Sequence, residues 1–102
     1  MEWYRHLLAF LAGAFLGNSI PHYVNGISGN PFPSPFGNPP GVGNSSPLSN
    51  VLWGCANLLL GYVLLRYSKL SPDNRTSLVA FFMGIVAVGV MLSQAFGGSS
   101  AL

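Results

Sequence analysis

Charge is what this sequence has least of. Only 6% of its 102 residues are Asp, Glu, Lys or Arg, where a soluble domain of ordinary composition carries roughly 25%. A short chain exposes a large share of its surface and needs charge to stay dispersed in water. Two acids and four bases do not supply it, so an ordinary soluble domain is excluded and lipid is left as the solvent. Acid is the scarcer sign: Glu2 and Asp73 are the only carboxylates, and both lie outside the long apolar runs. Paired general acid–base chemistry is excluded with them. Cysteine is almost missing, and Cys55 alone permits neither an intrachain disulfide nor a cysteine zinc site. The bases Arg5, Arg66, Lys69 and Arg75 are too dispersed to track the phosphates of a nucleic acid, so no nucleic-acid partner is expected.

What is present is length without charge. Three uncharged runs, Leu7 to Val24, Leu48 to Leu65 and Thr76 to Phe96, are long enough as helices to cross a hydrocarbon core of roughly 30 Å. They predict an all-α integral membrane protein with three transmembrane helices and a long Pro/Gly-rich outer loop, built as a single membrane domain. The expected order is a helix over about 3–22, the outer loop over about 25–49 and a helix over about 50–67. A cytoplasmic turn over about 68–75, a helix over about 76–96 and a short tail over 97–102 follow. An apolar run behind Arg5 also fits a cleaved signal peptide, but Trp3 and Tyr4 ahead of it have the character of an interfacial anchor and favour a retained helix.

The bases fix an orientation. All four flank the first helix on its N-terminal side or sit in the connection from Arg66 to Arg75, which the positive-inside rule places in the cytoplasm. The long first connection and the C-terminus are then periplasmic. Trp3, Tyr4, Tyr62 and Tyr67 fall near the inner interface and Tyr23 and Trp53 near the outer one. The inner connection carries Ser71-Pro72-Asp73-Asn74, a turn signal, with Thr76 or Ser77 as the expected N-cap of the third helix.

The outer connection holds six prolines and five glycines between Asn25 and Ser49 and no charge. Pro31-Phe32, Pro35-Phe36 and Pro39-Pro40 recur every four residues, which polyproline II, with its period of three, does not match. Successive turns fit better. Solvated linkers are poor in aromatic residues, so Phe32, Phe36 and Ile27 predict an ordered loop lying against the helices or the headgroup layer.

Within the spans, the polar residues gather in the outer half. Asn18, Ser19 and His22 lie on the first helix, Asn50 and Asn57 on one face of the second, and Ser93 and Gln94 near the end of the third. Pro21 has no N–H for the Gly17 carbonyl and leaves an acceptor open beside Asn18 and His22. His22 reads either as a metal, haem or quinone contact or as a helix terminator bonded to the loop, the second being the commoner role of a lone histidine. Asn50, with Ser49, helps start the second helix or joins the cluster, and Asn57 lies too deep for a cap. The cluster is either a neutral network that sets helix register or a site open to a small ligand. Gly13 and Gly17, Gly54 and Gly61, and Gly84 and Gly89 offer flat helix faces for contacts within or between chains.

No catalytic residue, metal site or cofactor is expected. No serine stands with a histidine and an acid as a triad requires, His6 and His22 lie toward opposite membrane faces, and Gly41-Val42-Gly43-Asn44-Ser45-Ser46 lacks the lysine of a phosphate loop. No acid or lysine lies within a span, which speaks against ion-coupled transport. The segment from Gly17 to Asn57 contains Asn18-Ser19-Ile20-Pro21-His22, Pro31-Phe32-Pro33-Ser34-Pro35-Phe36 and Asn50-Val51-Leu52-Trp53-Gly54. In these elements the chain resembles a small family of uncharacterised bacterial inner-membrane proteins. The resemblance covers about two-fifths of the chain, implies a bacterial inner membrane and carries over no catalytic residue. The expected function is a structural or accessory subunit that meets membrane lipid and assembles with itself or a larger membrane complex. The alternative is an oligomeric pore or a binding site for a small neutral solute, a lipid or a quinone.

Overall fold

The computed structural model describes residues 3–97, which are mostly helical, at 73%. Helix α1 spans Trp3–Ile27, α2 Pro47–Ser68 and α3 Arg75–Phe96, and between α1 and α2 two short strands, β1 (Phe32–Pro33) and β2 (Asn44–Ser45), pair antiparallel. All three helices are long and apolar enough to cross a membrane. Of the tail expected over 97–102, all but Gly97 lies outside the described residues. The chain divides into two compact units, one of residues 3–17 and 60–97, the other Asn18–Leu59.

The helix ends follow local chemistry that moves them from the positions expected. Pro21 does not end α1, which continues through it to Ile27. The side-chain amide of Asn25 donates to the Pro21 carbonyl at 2.8 Å, in the turn that follows the proline. The helix stops where Gly29 takes a left-handed φ of 76°. There the Gly29 N–H reaches the Gly26 carbonyl at 3.1 Å and the Asn30 N–H the Asn25 carbonyl at 2.8 Å, the paired bonds of a Schellman cap. Helix α2 begins before Asn50, because Ser46 caps it: its hydroxyl accepts from the Ser49 N–H at 3.1 Å, and Pro47 occupies the first helical position, where a missing N–H costs nothing. Asn74, rather than Thr76 or Ser77, caps α3 by accepting from the Ser77 N–H at 3.1 Å.

In the first unit α1 and α3 run parallel and meet at a crossing of glycines. A methyl group on Gly13 would run into the Phe81 carbonyl, and one on Gly84 into the Phe10 carbonyl. Gly17 lies against Val88 and Ile85, and Gly61 of α2 against Leu16. His6 Nδ1 and the buried Ser77 hydroxyl are 2.8 Å apart and tie the N-terminal ends of α1 and α3 together.

In the second unit α2 runs antiparallel to α1, with Gly54 on Tyr23 and Gly26 on Val51 and Pro47. Thus five of the six glycines picked out as flat helix faces close onto a neighbouring helix of the same chain. Gly89 alone has open space where its side chain would be.

Polarity is inverted relative to a water-soluble fold. Among the described residues the buried hydrophobic ones are only Ala9, Ala12 and Val88, whereas His22, Asn50, Asn57 and five serines are buried. Leu52, Leu59 and Val90 are 61%, 66% and 57% exposed. In water such a surface would aggregate; in hydrocarbon it meets a solvent as apolar as itself, while the polar side chains need partners inside the protein.

Candidate functional site

The polar side chains of the second unit form a network centred on Asn50, which is fully buried. Its position on α2, one turn past the Ser46 cap, aims its amide back at the strand that precedes the helix. The Asn50 Nδ2 lies 3.0 Å from the Phe32 carbonyl, 3.2 Å from the Ser45 carbonyl, 3.0 Å from the Ser45 hydroxyl and 3.1 Å from the Ser46 carbonyl. An amide nitrogen carries two hydrogens, so these four acceptors share them as bifurcated bonds. Backbone carbonyls accept only, which fixes the nitrogen end of the amide toward the loop. The oxygen end therefore faces His22, whose Nδ1 is 2.8 Å away.

That geometry sets the histidine. Its Nδ1 must carry the proton it donates to Asn50 Oδ1, and in the neutral ring Nε2 is then the free lone pair. The ring is 4% exposed and packs edge-on against Phe32 at 5.4 Å and Trp53 at 6.4 Å between centroids. His22 does not terminate α1, which runs on to Ile27, and no group of three or more His, Cys, Asp and Glu that could hold an ion gathers among the described residues.

Around this pair the loop is knitted together. The Ser34 and Ser45 hydroxyls are 2.7 Å apart, the Phe36 N–H donates to Ser34 Oγ at 3.1 Å, and Ser45 Oγ donates to the Phe32 carbonyl at 3.3 Å. The turn beyond the strands is closed by the Gly41 N–H to the Ser34 carbonyl at 2.8 Å and the Gly43 N–H to the Pro39 carbonyl at 2.8 Å. Gly37 and Gly43 pass so closely that a side chain on either would strike backbone. Phe36 stands edge-on to Trp53 at 5.4 Å. With Ser49, Leu52 and Ala56 these two rings line an apolar cavity of about 390 Å³.

One helical turn and more away from Asn50, a second pair joins the helices. Asn18 Nδ2 donates to Asn57 Oδ1 at 3.0 Å, and Asn57 Nδ2 donates to the Trp53 carbonyl of its own helix at 2.8 Å. Asn57 is 2% exposed. Ser19 is buried on the same helix as Asn18 and His22. Ser93 and Gln94 belong to the first unit, where both are exposed and the Ser93 hydroxyl donates to the Val90 carbonyl of its own helix at 2.7 Å.

No family model, curated protein or solved structure matches the chain. The arrangement itself therefore carries the functional argument. Of the expected cluster it brings together Asn18 with Asn57 and His22 with Asn50. It adds Ser34, Ser45 and the Phe32 and Ser46 carbonyls, which sequence reasoning did not select. Backbone acceptors have no sequence signal. Ser46 ahead of Pro47 did have one, since serine followed by proline at the first helical position marks a helix start.

Proposed function

We propose that this chain is a small integral protein of the bacterial inner membrane, acting as a structural or accessory subunit that assembles with itself or with a larger membrane complex. The Asn50 amide carries this reading, because it is fully buried and ties α1, the loop and α2 together through His22, the Phe32 carbonyl and the Ser45 and Ser46 groups. A network of this kind clasps a loop to two helices and keeps its central amide buried away from a solute. The inverted polarity supports membrane insertion, and the confinement of all bases to one set of helix ends supports a cytoplasmic N-terminus and a periplasmic C-terminus. The Asn-x-Ile-Pro-His and Pro-Phe-x-x-Pro-Phe elements support the bacterial inner membrane.

A second reading, contact with a lipid or quinone, draws on the aromatic cavity beside Phe36 and Trp53. A pore for a small neutral solute has less to stand on, since it needs several copies around an axis. Native mass spectrometry from lipid nanodiscs separates the three. A stoichiometric mass increment from another protein, or a fixed homomer without an axial opening, supports the subunit reading; a retained quinone or a ring with an axial opening overturns it. The open Gly89 face is the place to probe self-assembly: Gly89→Leu should lower the assembled mass if copies meet there and leave the fold intact.

A further inference from the structure

A cavity of about 460 Å³ lies in the first unit, on the C-terminal turns of α2. Tyr62, Val63, Arg66, Tyr67 and Lys69 line it. Its two cations have no acidic partner: Asp73 is the one described carboxylate, and neither Arg66 nor Lys69 forms an ion pair among the described residues. The guanidinium is nonetheless held in place. Arg66 Nη1 donates to the Tyr62 hydroxyl at 2.9 Å, and its Cζ stands 5.9 Å from the centre of the Tyr62 ring. One Nη is thus engaged and the rest of the planar fork stays free for an oxyanion.

Lys69 is brought to the same cavity by a left-handed backbone turn, φ 54°, immediately after the helix ends. A helix C-terminus ordinarily repels an anion through its open carbonyls. Here two are occupied: the Leu65 carbonyl accepts from Ser68 Oγ at 2.7 Å and the Arg66 carbonyl from the Lys69 N–H at 3.2 Å. Toward the middle of the helix, within the same unit, its surface is apolar and exposed through Leu60 and Val63. A ligand seated on this strip meets two positive charges at one end and hydrocarbon-compatible side chains along the other, which is the build of a phospholipid.

From this geometry we propose that Tyr62, Arg66, Tyr67 and Lys69 form a site for the phosphate group of an anionic phospholipid. The proposal rests on the membrane reading given above. Arg66 clamps the phosphate oxygens, Lys69 adds the second charge, Tyr62 holds the guanidinium, and the acyl chains follow the exposed face of α2. The chemistry recognised is a phosphate oxyanion, for which free phosphate is the competing source.

The test uses the full chain in nanodiscs of phosphatidylcholine containing a minor fraction of phosphatidylglycerol, with bound lipid counted by native mass spectrometry. Wild type and Arg75→Gln, which removes a charge outside the cavity, should retain phosphatidylglycerol in preference to phosphatidylcholine. The pair Arg66→Gln and Lys69→Gln together should lower that preference by roughly tenfold or more, and Tyr62→Phe should lower it by a smaller factor with both charges kept. Equal lipid preference in wild type and the double variant, or an equal loss in Arg75→Gln, overturns the site. Displacement of the bound lipid by millimolar inorganic phosphate overturns its assignment to lipid and gives the oxyanion a soluble source. Carbonate extraction from phosphatidylcholine vesicles reads the membrane assignment separately. A chain that resists extraction without lipid preference loses only the site, whereas a chain that is extracted loses both.

Discussion

Changing the Asn50 amide to a carboxylate replaces one nitrogen by oxygen and turns a donor facing three carbonyls and a hydroxyl into an acceptor facing the same groups. Asn50→Asp keeps the volume, so any loss belongs to hydrogen bonding and charge rather than to packing. It should destabilise the fold by about 2–4 kcal/mol, read as a lowered thermal midpoint in detergent, with the loop between α1 and α2 becoming the first segment cut by protease. Asn57 carries less. Its oxygen takes one interhelical bond and its nitrogen one bond to its own helix, and interhelical bonds in lipid are worth about 0.6–2 kcal/mol. Asn57→Leu should therefore cost no more than that range. A larger loss for Asn57→Leu than for Asn50→Asp would show that the clasp is centred on the wrong residue. At this scale the sequence already pointed to both asparagines, because an amide inside an apolar run needs a partner. It did not tell which carbonyls answer, since every residue offers one.

Between elements, glycine decides how closely helices approach. Gly13 and Gly84 each face the backbone of the opposite helix rather than a movable side chain, so an added methyl group can be accommodated only by moving α1 and α3 apart. Gly13→Ala and Gly84→Ala should each destabilise by about 1–3 kcal/mol, and because they share one crossing the double variant should lose less than the sum. Gly89→Ala, in open space, should stay within about 0.5 kcal/mol of the parent. Equal effects at Gly84 and Gly89 would show that the losses come from helix flexibility and not from the crossing. The helix caps act on a smaller scale. Ser46→Ala removes the acceptor for the Ser49 N–H and should cost about 1 kcal/mol, and since the neighbouring Ser46 carbonyl is an Asn50 acceptor, hydrogen exchange should rise in the loop as well as in the first turn of α2.

Over the whole chain, the distribution of charge is the argument for orientation. Val42, at the turn of the loop, is 72% exposed and outside the network, whereas Ser45 is buried within it and is a poor reporter. In a Cys55→Ala background, Val42→Cys should react with a membrane-impermeant thiol reagent in intact cells, and Asp73→Cys should react only after permeabilisation. The reverse pattern would invert the proposed topology, and labelling of both in intact cells would remove the barrier between them. The background substitution is needed because Cys55 is itself free and exposed on α2.

The number of helices long and apolar enough to cross a membrane was legible in the sequence because it depends on sums: charge per residue and the length of an uncharged run. Such sums do not require knowing which residue touches which. The turn at Ser71-Pro72-Asp73-Asn74 and the ordered character of the Pro/Phe loop were legible for the same local reason. Element ends were less so. Pro21 opposes helix in any local reading, yet α1 passes through it to Ile27 and is closed just beyond, where Gly29 adopts the left-handed conformation. Only the tertiary structure chose between glycine faces that look alike in sequence, sending Gly13, Gly17, Gly54, Gly61 and Gly84 inward and leaving Gly89 open. It alone paired His22 with Asn50 and Asn18 with Asn57, because a hydrogen bond is decided by distances of a few tenths of an ångström between residues 28 and 39 positions apart, and no local preference specifies those.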